Sequence, residues 1–285
     1  MMASANKRTS APAIRQEYST ARAALRRCLP TVVAVVVLLA VWEVWARLAA
    51  NSPAVADNPS VKPASPSEIL AATVRTWPTL WPAAKATTYE GFVGFAIAAV
   101  LGVAFGMLFH CSRTLGAAFS PLLAAAQTLP LIAIAPLFLI WFGFEPEGKI
   151  AIVALFGLFP IAVQTMRGLD AVPEFYSDVA LTCGATRVWT LWHVKLRVAA
   201  RQIFGGLRIS AAYVFATAAT AEYLGARGGL GIWLQSAYNS FNTRLVFAAT
   251  LVIIVMTGLL LLAISLVERL MLGPARDDDD PDAGQ

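Results

Sequence analysis

Charge is what this chain has least of. Only 14% of its 285 residues are Asp, Glu, Lys or Arg, against 58% apolar, and the mean hydropathy is +0.66. A water-soluble domain carries about a quarter charged residues, so a soluble globular protein is excluded and an integral membrane protein is indicated. Histidine is nearly missing: His110 and His193 stand far apart with no Cys/His cluster beside either, too few ligands for a metal site. Cys28, Cys111 and Cys183 are odd in number, lack C-x-x-C spacing and read as free thiols. No basic face interleaved with aromatics appears, so the net charge of +5 is read as membrane topology and nucleic acid is not an expected partner.

Long apolar runs are what the chain has in quantity. They are helix-length rather than short and alternating, which favours helices that satisfy their own backbone over a β-barrel. Spans are expected near 29–50, 87–110, 115–141, 149–168, 199–223 and 245–272, an all-α membrane protein of about six transmembrane helices. Residues 1–28 form a disordered or interfacial N-terminal segment in this reading, 29–272 the membrane domain and 273–285 a tail with the acidic run Asp277 to Asp280. The basic residues ahead of Leu29 resemble a signal peptide, but the apolar run is too long and reads as an uncleaved first span.

Placing the N-terminus inside puts 14 basic residues on the cytoplasmic side and 7 on the other, so both termini are expected in the cytoplasm. Arg208 is left inside the fifth span, to snorkel or to pair with a neighbouring helix. Pro53, Pro59, Pro63 and Pro66 mark an external linker over 51–86, in which Ser67 to Trp77 is expected as a short amphipathic helix along the outer membrane surface. Ala98, Gly102 and Gly106 allow another helix to approach the second span closely.

Residues Gly143 to Lys149 fit G-x-x-x-x-G-K, the start of a nucleotide-binding loop. The match fails chemically: Ile150 follows where a metal-holding Ser or Thr is needed, and Glu145 and Glu147 lie where phosphates would sit. A short external turn is expected, and no nucleotide or catalytic site in this chain.

Between the fourth and fifth spans lies a polar segment, 170–197. Pro173 and Glu174 suit a first helical turn, and Phe175, Val179 and Thr182 fall near one face. Gly184 ends this helix in a left-handed cap, and Thr186 N-caps a second short helix with Val188, Leu191 and Trp192 as its apolar residues. Asp178, Val179, Ala180, then Gly184 after three residues and Val194-Lys195-Leu196-Arg197 after nine more, resemble the Glu-Ala-Ala, Gly, Ile-x-Leu-Pro signature of permease subunits of binding-protein-dependent ABC importers. Thr128-Leu129-Pro130, Ala135 to Phe138, Trp141 to Gly143, Glu222 to Gly225 and Gly229 to Gly231 resemble the branch importing nitrate, sulfonates, taurine and thiamine-precursor pyrimidines. Arg197 stands where Pro usually ends the signature, so the exit into the fifth span is expected to run more continuously.

The resemblance implies a type I ABC importer permease fold in the cell inner membrane. It implies a separate ATP-binding subunit that receives Phe175, Asp178, Val179, Ala180, Gly184 and Leu196. ATP and Mg would be bound by that subunit, with no cofactor in this chain. An extracytoplasmic solute-binding protein, a second permease copy and the lipid bilayer complete the expected partners. Polar side chains inside apolar spans are the candidates for the translocation path: Gln127, Thr128, Gln164, Thr165, Tyr213, Thr217, Thr220 and Glu222. Glu222 is expected to act as a gate or to lock the fold. Pro130, Pro136 and Pro160 are expected to interrupt helices around the path. The alternatives are an ion-coupled secondary transporter, which needs ionisable groups near the midplane, and a membrane-embedded enzyme, which needs a nucleophile–base pair or metal cluster.

Overall fold

A computed structural model describes residues 11–51 and 62–273, with side chains from Leu29 onward, and among these every regular element is helical. The elements are α1 (Ala11–Ala50), α2 (Pro66–Cys111), α3 (Arg113–Ala126), α4 (Leu131–Phe142), α5 (Pro146–Asp170), α6 (Glu174–Thr182), α7 (Arg187–Thr190), a π-helical turn (Leu191–Lys195), α8 (Leu196–Leu224), α9 (Leu230–Asn239) and α10 (Thr243–Leu272). Five helical stretches are long and apolar enough to cross a membrane, and α3 with α4 makes a sixth if the bent pair counts as one span. Pro53, Pro59 and the tail beyond Gly273 lie outside the described residues.

Contacts divide the chain into residues 1–71 and 72–285. In the first unit, α1 starts well before Leu29, so 11–27 continues the first span as helix. From Leu29 its apolar side chains are mostly exposed, as a lipid-facing helix requires. Glu43 pairs with Arg47 one turn on at 2.6 Å and accepts the Ser67 N–H at 3.0 Å, satisfying a donor in the first turn of α2.

In the second unit α5 packs extensively on α8, and α10 packs on α8. Val153, Ile161, Ala211, Val214 and Ala218 form the middle of this core with Phe95 and Ala98 of α2. The small residues of α2 work as the spacing requires. A Cβ on Gly102 would stand 2.7 Å from that of Ile161, and one on Gly94 2.6 Å from that of Val153, so α2 and α5 pack almost backbone to backbone.

Several expectations change. The surface helix over Ser67 to Trp77 is not separate; it continues through Pro78 and Pro82 into the second span as one 46-residue helix, helical from Pro66 where a linker to 86 was expected. Leu80 and Ala84, buried against Leu230, Ala248 and Val252, hold the stretch that the prolines would weaken. The single span over 115–141 is instead two helices at 102°. Pro130, with no N–H and an extended conformation, breaks the run and starts α4. Pro136 and Pro160, in contrast, lie within α4 and α5 without ending them. The second short helix of the polar segment merges with the fifth span, so helix is unbroken from Arg187 to Leu224 through the π-helical turn. That agrees with Arg197 in place of Pro. The helix α9 had no counterpart in the sequence reading.

Candidate functional site

The polar segment folds as its capping residues dictate. Pro173 precedes α6 and Glu174 opens it, setting a negative charge at the positive end. At the other end Gly184 has φ +87°, its N–H bonds Leu181 O at 3.0 Å, and Ala185 N–H bonds Ala180 O at 3.0 Å. This is a Schellman cap, and it needs glycine for its backbone, since a Cβ at Gly184 would meet nothing within 4 Å. Thr186 caps the next turn, accepting the Trp189 N–H at 3.2 Å.

No residue of α6 is buried. Phe175 is 69% and Val179 46% exposed, Asp178 and Gly184 are exposed, and Ala180 is half-buried. Phe175, Val179, Ala180, Gly184 and Trp189 border a surface groove of about 790 Å³. Leu196 is placed differently, packing against the buried cluster Leu169, Val172 and Ala199. It roots the segment rather than lining its outer face.

A second cluster at this root joins residues that the sequence reading had not brought together. His110 Nδ1, at the end of α2, lies 2.5 Å from Asp170 Oδ1 at the end of α5. Lys195 Nζ, in the π-helical turn, lies 3.1 Å from His110 Nε2. Three helix ends are thereby tied beneath α6. The only sequence signal was three chemically complementary side chains at predicted span ends, with nothing to show that the ends meet.

At the other end of α8, Glu222 is fully buried. Its Oε2 accepts the Gly231 N–H at 2.7 Å and its Oε1 the Thr87 hydroxyl at 2.7 Å, while Thr87 Oγ1 accepts the Leu230 N–H at 2.9 Å. The carboxylate and the hydroxyl therefore satisfy the first two donors of α9 and fasten it to α8 and α2. Gly229 has φ +108°, which turns the chain back onto Glu222. Beside this network Glu90 of α2 pairs with Lys149 of α5 at 2.6 Å. Sequence reading passed over Glu90 and counted Lys149 among external loop charges. The G-x-x-x-x-G-K stretch is a turn in which Gly143 closes α4 and Pro146 opens α5, with Lys149 already inside the helix.

The other path candidates are dispersed. Gln127 and Thr128 sit exposed in the break between α3 and α4, and Thr128 Oγ1 bonds Ala125 O at 2.7 Å. Gln202 Nε2 donates to Gln164 at 3.0 Å and Tyr213 OH to Phe156 O at 3.3 Å, both linking α8 to α5. Thr165 is buried with an unpartnered hydroxyl, Thr217 is buried, and Thr220 bonds Ala216 O at 2.7 Å in its own helix. Arg208 pairs with Glu268 of α10 at 3.1 Å. Cys111 and Cys183 are free and exposed; the side chain of Cys28 lies outside the described residues.

Residues 94–272 match the family model described as "Binding-protein-dependent transport system inner membrane component". The chain belongs to this family. It is thus an ABC importer permease, a multi-pass protein of the inner membrane. This permease is 31% identical over 236 residues to the formylaminopyrimidine transport permease protein ThiX of Halalkalibacterium halodurans, covering 82% of this chain and 91% of that protein. It is 30% identical to the taurine transport system permease protein TauC of Escherichia coli, over 67% of this chain and 70% of the relative. To the nitrate import permease protein NrtB of Leptolyngbya laminosa it is 28% identical, over 84% and 86%. In fold the permease resembles a chain of the MetNI methionine ABC transporter in an inward-facing conformation, with a TM-score of 0.61 at 20% identity, covering 67% of this chain and 95% of that one.

Proposed function

We propose that this permease moves a small polar solute inward, driven by ATP hydrolysis on a separate ATP-binding subunit docked on α6 at the cytoplasmic face. The observation that carries the reading is α6 itself. A nine-residue helix is too short to persist on propensity alone, yet this one is capped at its end and leaves Phe175 and Val179 outward beside a groove. Such a face is finished by a partner. ATP and Mg belong to that subunit, which upon closing displaces α6 as a rigid body. The motion reaches the spans through Leu196 and through the His110–Asp170–Lys195 cluster, alternating access between the two sides.

The same reading takes both termini as cytoplasmic, a second copy of this chain as the other half of the pathway, and an extracytoplasmic binding protein as the source of specificity. It keeps 29–272 as the membrane domain, with 170–197 as the coupling segment. Gln127, Thr128, Gln164, Thr165, Tyr213, Thr217 and Glu222 stay as its path candidates. The relatives named above carry a formylaminopyrimidine, taurine and nitrate, which share small size and polarity. Within that class a pyrimidine precursor or a sulfonate is preferred.

The test is Gly184→Glu. The variant strains the left-handed cap by about 1 kcal/mol or more and sets a carboxylate at the groove. Membrane insertion should persist while the ATP-binding subunit no longer co-purifies and ATP-dependent uptake into proteoliposomes is lost. Uptake that persists in vesicles holding the permease alone would falsify the importer mechanism in favour of an ion-coupled transporter.

A further inference from the structure

Where α2, α5 and α8 meet, the ionisable side chains do not balance. Glu222 is fully buried and Glu90 and Lys149 are each 3% exposed, so water solvates none of the three. With both acids ionised, the ammonium of Lys149 would leave one buried negative charge over. Glu147, in the first turn of α5, sets a further negative charge near Glu90. Thr87 and Glu90 lie three residues apart on one face of α2, so the turn that carries the Thr87 hydroxyl to Glu222 carries the Glu90 carboxyl there as well. The two carboxyl groups are in hydrogen-bonding contact.

A hydrogen bond needs a donor, and an ionised carboxylate has none. The surrounding donors are committed elsewhere: Lys149 to Glu90 Oε1 at 2.6 Å, the Gly231 N–H to Glu222 Oε2 and the Thr87 hydroxyl to Glu222 Oε1. Glu90 Oε2 is buried and meets no N–H or hydroxyl. We propose that Glu90 and Glu222 hold one proton between them, so that the carboxyl pair carries a single negative charge, balanced by Lys149. The proton supplies the donor that this contact lacks. It also lets Glu222 keep hold of the α9 N–H without leaving an uncompensated charge in the interior. A metal cation suits the site less, because the Lys149 ammonium already sits on the other Glu90 oxygen and would repel it.

The experiment is infrared spectroscopy of the full-length permease at neutral pH, in a detergent without ester groups. A protonated carboxyl absorbs above the amide bands, where ionised Asp and Glu do not. Wild type should show such a band, and the band should shift when the protein is made with isotope-labelled glutamate. It should vanish in Glu90→Gln and in Glu222→Gln, since each variant puts an amide N–H where the proton was and leaves one carboxylate to Lys149. Glu90→Gln keeps an oxygen for Lys149 and a donor for Glu222, so it should stay folded. Should neither variant fold, the labelled wild type decides. No band, a band that ignores labelled glutamate, or one that persists in either variant overturns the proposal. So does an unfolding midpoint that rises when choline chloride is exchanged for an equal concentration of sodium chloride, because the ligand would then be a metal cation.

Discussion

Lys149 and Glu90 close an ion pair of 2.6 Å in which each side chain is only 4% exposed. Glu90 also neighbours the Glu222 carboxylate. Two acids and one base are therefore packed where α2, α5 and α8 meet, and the charges of Glu90 and Lys149 depend on each other for the solvation that water does not supply.

Removing the base alone should be costly. Lys149→Met leaves Glu90 buried without its partner and is expected to destabilise the fold by about 3–5 kcal/mol. Adding Glu90→Gln should recover much of that loss. Thermal unfolding of the detergent-purified protein reads both, and an unchanged midpoint for Lys149→Met would show that the pair does not hold these helices.

Gly231 and Gly205 should respond in opposite ways to alanine. At Gly231 the new Cβ would collide with the Ala219 carbonyl and stand 2.6 Å from the Glu222 Cβ, pushing α9 away from the carboxylate that caps it. A loss of about 1–3 kcal/mol is expected, the range for overpacking. A Cβ on Gly205 meets nothing within 4 Å, so alanine there should be neutral or stabilising by up to about 1 kcal/mol. The same unfolding assay compares them.

These two sites show how far the sequence was legible. The helical class and the approximate number of spans, the helix caps at Gly184 and Thr186, and the close approach along Gly102 were readable, because each rests on local chemistry or on a repeat within one helix. The Glu90–Lys149 pair was not, since its partners are 59 positions apart and nothing local says that they meet. The bend at Pro130 illustrates the opposite case. Its chemistry was visible, but a proline within an apolar run reads equally as a kink or a stop, and Pro136 and Pro160 turned out otherwise.

The cluster His110, Asp170 and Lys195 predicts uncoupling rather than unfolding. His110→Ala removes the atoms that join α2 to both other partners. In an assembled transporter it should leave ATP hydrolysis near the wild-type rate and lower solute moved per ATP several-fold. Lys195→Arg, which keeps a donor facing His110, should be milder than Lys195→Met. Parallel loss of both activities would mark the cluster as structural only.

Sidedness can be read from the thiols. With Cys28 and Cys111 replaced by Ala, Cys183 is exposed beside α6 and should react with a membrane-impermeant maleimide in inside-out vesicles, but not in right-side-out ones. The reverse pattern would invert the topology and the site of ATP-subunit docking with it.

The undivided helix α2 gives these separate sites a common beam. Glu90 and His110 are 20 residues apart on it, about 30 Å along the axis, close to the thickness of the hydrocarbon core. The helix is unbroken between them, with no loop to absorb a displacement. In the proposed mechanism a push that shifts Lys195 against one end is met at the Lys149 anchorage at the other, so that α2 tilts as a lever with the buried ion pair as its fulcrum.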